Sequence, residues 1–156
     1  MVNRGIATLS AGLIICFLLL SYFDSQFYLI HFYESLMYLA IILMLFYFED
    51  RWAYMLGMVA PTIWLMLTYL AGAMPGMLRQ VNLVAHLQQP DYGANLVGAA
   101  IVGLSVIMIV FCAYNWRRQF AGLHKSLRTM AVATTIAAVY YGVMVVWILR
   151  WPLAAG

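Results

Sequence analysis

Charge is what this chain lacks most. Only 8% of its 156 residues are Asp, Glu, Lys or Arg, where an ordinary soluble domain carries about 25%. With 67% hydrophobic residues and a mean hydropathy of +0.94, a chain this short cannot hide its apolar surface in a water-exposed fold. A soluble enzyme, a nucleic-acid-binding domain and a disordered chain are thereby excluded. Cysteine is nearly as scarce: Cys16 and Cys112 are the only two. On a helical membrane reading they stand more than about 10 Å apart in depth, too far for a disulfide. No Cys-x-x-Cys is present, so quinone-linked disulfide chemistry is out, and phosphate-loop, Gly-x-Ser-x-Gly and His-Glu-x-x-His motifs are also absent. The eleven methionines are scattered and read as apolar filler rather than a copper relay.

What the sequence does have is long uninterrupted apolar runs. A helical crossing of a hydrocarbon core needs about 20 apolar residues, and five stretches qualify: approximately Gly5–Phe23, Phe27–Phe48, Trp52–Gly72, Ala94–Tyr114 and Met130–Leu149. A membrane β-barrel would alternate apolar and polar residues instead. The expected fold is therefore all-α, a polytopic bundle of five spans forming one integral membrane domain over residues 1–156. Asp24-Ser25-Gln26 and Glu49-Asp50-Arg51 are short connections, which make the first three spans an antiparallel up-down-up unit. Met1–Arg4 and the following apolar run resemble a signal leader, but Ser21-Tyr22-Phe23 lacks the small residues of a cleavage site. The segment is read as a retained first helix.

Arg4, Arg51, Arg117, Arg118, Lys125 and Arg128 fall on one side of this topology, and only Arg79 and Arg150 on the other. The positive-inside bias then puts the N-terminus in the cytoplasm and the C-terminus outside the cell (inner) membrane. Between the third and fourth spans, Ala73–Gly93 holds Pro75, a set of apolar residues and a Gln89-Pro90 stop. This reads as a short helix lying on the outer surface. The segment Asn115–Thr129 reads as a basic inner loop that sets topology.

One constellation carries chemistry. Asp24, Tyr28, His31, Glu34, Ser35 and Tyr38 recur along the second span on a stripe about 120° wide. Glu34 falls about 10 Å below the span's outer edge. A carboxyl at that depth must be neutralised, paired or wetted, and His31, three residues back, is the nearest local partner. The stripe ends at Tyr38, so it describes an outward-facing pocket rather than a complete proton wire.

The His-x-x-Glu spacing also suits metal ligation, and His86 and Asp91, on the same side, would complete a set with His31 and Glu34. A buried bis-histidine haem is disfavoured, since only His31 lies within a span. A quinone- or lipid-like ligand fits such a pocket more easily, although the simplest expectation is no cofactor. Gly57-x-x-x-Pro61 reads as a kink in the third span, and Trp64 and Thr68 beside it as core residues. Asn95, Ala99 and Gly103 in the fourth span and Thr134, Ala138 and Gly142 in the fifth form small-residue stripes that are expected to pack those two helices together.

The leading functional expectation is a non-catalytic accessory or scaffold subunit packing against other integral membrane proteins or against itself, in contact with membrane lipids and not with nucleic acid. The alternatives are a small membrane enzyme or redox protein using the His31/Glu34 pocket, and an oligomeric transporter.

Overall fold

The structure, a computed structural model, describes residues 4–47, 49–89, 93–120 and 123–154, with the side chains of 123–126 and 151–154 outside the description. Six α-helices follow in order: α1 (Arg4–Phe23), α2 (Tyr28–Phe46), α3 (Asp50–Leu70), α4 (Met74–Ala85), α5 (Gly93–Gln119) and α6 (Leu123–Ala154). No strand occurs among the described residues. Every long helix contains a segment apolar enough to cross a membrane, which makes five candidate spans. The molecule is an all-α, multi-pass membrane bundle. Helix is the only way to cross hydrocarbon here, because backbone N–H and C=O groups find no water and must bond within their own segment.

Local chemistry sets the helix ends. A single 3-10 turn (Ser25–Phe27) reverses the chain between α1 and α2. Asp50 stands in the first turn of α3, where its charge complements the positive end of the helix dipole. Pro75 occupies the first turn of α4, a position that needs no N–H donor. At the other end of α4, Leu87 takes the left-handed conformation at φ 57°. The Gln88 N–H then bonds back to the Leu83 carbonyl, closing the helix as a glycine ordinarily would.

Two helices run longer than the apolar pattern implies. Helix α5 carries Arg117 and Arg118 in its last turn, and α6 already begins at Leu123. The basic segment expected as a loop over 115–129 is thus mostly helix. Charge ends a membrane crossing but not a helix, and arginines at a C-terminus even favour the dipole.

Helices α1, α2, α3 and α5 pack as a ring in which each touches the next, α4 lies against α5, and α6 packs on the outside of α3. Phe17 centres the ring, stacked on Tyr38 at 5.6 Å and set edge-on to Trp64 at 5.5 Å. Gly57 marks a close contact of α3 with α5: a Cβ there would meet Cys112 Sγ at 2.6 Å and Met108 Cε at 3.2 Å. Pro61, one turn on, is buried in the same helix.

The expected pairing of the fourth and fifth spans is corrected. Helix α6 packs on α3, not on α5. Thr134, Ala138, Gly142 and Gly103 are exposed, and a Cβ at Gly103 or Gly142 would meet nothing within 4 Å. Asn95 instead lies beside Gly76 of α4. Helix α6 buries its neighbouring face through Ala133, Ala137, Tyr141 and Met144. Tyr141 and Met144 give that face more atoms to pack than Gly142 offers, and dispersion contact grows with the number of touching atoms.

Candidate functional site

The site is a cleft of about 690 Å³ between α2, α3 and α6, at the end of the bundle that carries α4. At one level beside it, α6 is tied to α2. Tyr33 and Tyr140 stack with their ring centroids 4.2 Å apart, and each hydroxyl donates to the other's backbone carbonyl. Ile30 and His31 of α2 face Met144, Val145 and Ile148 of α6 across the cleft.

Glu34 forms the polar floor. It is only 5% exposed and accepts from two helices. The indole N–H of Trp64 in α3 donates to Oε1 at 2.9 Å, and Nδ1 of His31 lies 2.9 Å from Oε2. Nε2 of His31 is buried without a hydrogen-bond partner among the described residues, and stands 3.8 Å from Oδ2 of Asp24. The imidazole therefore sits between two carboxylates, one lining the cleft and one, about a third exposed, outside its lining. A carboxylate that accepts two N–H bonds is held far more cheaply than a bare one in hydrocarbon.

The remaining members of the expected stripe separate. Tyr28 is half exposed and does not line the cleft. At the first turn of its helix the ring can reach the bundle end, where an amphipathic aromatic is favoured. The Ser35 hydroxyl is turned back onto the Phe32 carbonyl at 2.6 Å, a local bond that serine makes readily inside helices. Tyr38 lies fully buried behind the cleft, its hydroxyl directed toward Ser105 of α5 and Tyr141 of α6. Those three hydroxyls approach one another without closing a well-formed hydrogen bond.

Among the described members of the His31, Glu34, His86, Asp91 ligand set, His86 does not join His31 and Glu34. His86 lies exposed at the end of α4 with Nδ1 on the Asn82 carbonyl at 2.8 Å, so its ring serves its own helix terminus. Asp91 lies outside the described residues. Among those described, no three His, Cys, Asp or Glu side chains are arranged to hold a metal ion.

Sequence reasoning passed over Trp64 and Thr68, both of which line the cleft. One signal for Trp64 was available. A buried indole N–H needs an acceptor, and Glu34 is the only carboxyl inside any of the apolar runs. Chemically the arrangement presents a long apolar trough with one carboxylate–imidazole pair at its floor. Such a trough can hold a hydrocarbon body and hydrogen-bond its polar end. No family model matches the chain, and neither a curated protein nor a solved structure is similar to it.

Proposed function

We propose that this multi-pass membrane protein binds a lipid-like molecule in the α2–α3–α6 cleft, with His31 and Glu34 engaging the polar end. The observation that carries this reading is the joining of a single buried carboxylate–imidazole pair to an apolar cavity of about 690 Å³. Ligand sites commonly measure about 300–1,000 Å³ and pair apolar walls with a few polar anchors. Native mass spectrometry of the protein extracted from its own membrane tests it. The wild type should retain an adduct of lipid-like mass, and Ile148→Trp, which fills the cleft from α6, should lose it. Equal adducts on both proteins, or none on either, overturn the reading.

The membrane placement belongs to the same proposal. Six of the eight basic residues sit toward the bundle end opposite α4, which supports a cytoplasmic N-terminus and an external cleft. Helix α4 fits a position on the outer surface. Met77 and Gln80 are buried, with Met77 against Gly98 of α5. Leu78, Val81 and Val84 stay exposed, while Arg79, Asn82 and His86 share a polar sector about 60° wide.

A second reading, a subunit that packs against other membrane proteins, is favoured by one observation. The small-residue faces at Gly103 and at Thr134, Ala138 and Gly142 are turned outward, where a helix of another chain can approach closely. Ligand binding and assembly are compatible roles.

A further inference from the structure

We infer that the cleft selects a molecule whose polar end is a hydrogen-bond donor without negative charge, a hydroxyl or an amine on a hydrocarbon body, and rejects anionic lipids. The inference rests on the binding role proposed above and names the class of ligand.

It follows from counting charges and lone pairs at the floor. His31 and Glu34 are the ionisable side chains among the described residues lining the cleft, and no Lys or Arg is among them. Asp24 adds a second carboxylate 3.8 Å behind the imidazole. Two carboxyl groups beside one imidazole, with no Lys or Arg in the lining, make the floor acidic and rich in acceptors. An ionised carboxylate offers about four lone-pair sites. Trp64 and His31 occupy one on each oxygen of Glu34, so about two remain to accept from a ligand.

Two of the lining donors are already committed, and the unbonded Nε2 of His31 stands beside Asp24. The Trp64 N–H is bonded to Glu34, and the Thr68 hydroxyl donates to the Trp64 carbonyl at 2.9 Å. An incoming phosphate or fatty carboxylate would meet a like charge in a poorly screened site with few donors left for its oxygens. A hydroxyl or an ammonium meets an acceptor of the complementary kind. The walls contributed by Leu67, Met144 and Ile148 take the hydrocarbon and add no competing polar group.

The test uses the full chain in phosphatidylcholine nanodiscs with two photoreactive probes, a hexadecanol and a hexadecanoic acid, each carrying a diazirine in the tail. Cross-linked residues are mapped by peptide mass spectrometry. The alcohol probe should label cleft residues of α3 and α6, excess hexadecanol or hexadecylamine should displace it, and excess hexadecanoate should not. Glu34→Gln should weaken that labelling roughly tenfold or more, as expected for losing a charged acceptor. Cleft labelling by the acid probe equal to or above that by the alcohol overturns the head-group inference and leaves the binding role standing. If neither probe labels the cleft, both fall. The competition on wild-type protein decides the matter even if Glu34→Gln does not fold.

Discussion

Glu34 is held by two N–H groups from two helices, one on each oxygen: His31 on its own helix and Trp64 on α3. The two bonds differ in what they stabilise. The His31 contact is local and survives in an isolated helix, whereas the Trp64 contact exists only once α2 and α3 have packed. Trp64→Phe keeps the ring against Phe17 but removes the donor. It leaves one oxygen of a buried carboxylate short of a partner, at a cost of about 1–3 kcal/mol. The expected outcome is a lower unfolding temperature in mild detergent. Trp64→Phe combined with Glu34→Leu should recover part of that loss, since replacing both partners by apolar groups removes the unsatisfied atom. A double variant less stable than either single one would show that the pair is not the coupling element.

Among the helices, glycine separates a contact from an open face. At Gly57 any side chain runs into the ends of Cys112 and Met108 of α5, which must repack to admit it. Gly57→Val is expected to destabilise by about 1–3 kcal/mol, the ordinary cost of overpacking. Gly142→Leu faces open space and should change the stability of the monomer by no more than about 0.5 kcal/mol. Thermal melts of the two variants in detergent check the contrast. A large loss at Gly142 would restore the small-residue interface that the sequence pattern implies. If Gly142→Leu leaves the monomer stable but shifts a native assembly to smaller mass, the outward stripe is a subunit contact.

For the whole molecule, the five spans place the connections α2–α3 and α5–α6 at one end and the cleft with α4 at the other. The proposed orientation is checked in intact cells with an impermeant thiol reagent on a background free of Cys16 and Cys112. Cysteine at position 126 should be protected and cysteine at position 89 should react, because moving four Lys and Arg of one short connection across the membrane opposes the positive-inside bias. The reverse pattern would turn the cleft toward the cytoplasm and leave its chemistry unchanged.

The amino-acid sequence alone determined the class of this protein and the location of its spans. Continuous apolar runs have only one stable form in hydrocarbon, and each span is long enough to be recognised without reference to its neighbours. It also placed His31 and Glu34 one turn apart on one face, because that relation is internal to a helix. The tertiary structure decided which helices touch, and that in turn decided the site. In a bundle where almost every face is apolar, hydrophobic pattern does not distinguish a lipid-facing stripe from a buried one. Small residues at Gly103 and Gly142 therefore looked like an interface but face outward. Trp64 looked like core filling but reaches the carboxylate from 30 residues away. Tyr28 and Ser35, on the expected stripe, were drawn off by the helix end and by the backbone. The cleft itself lies between α2, α3 and α6, and a space between helices is a property of their packing that no single segment encodes.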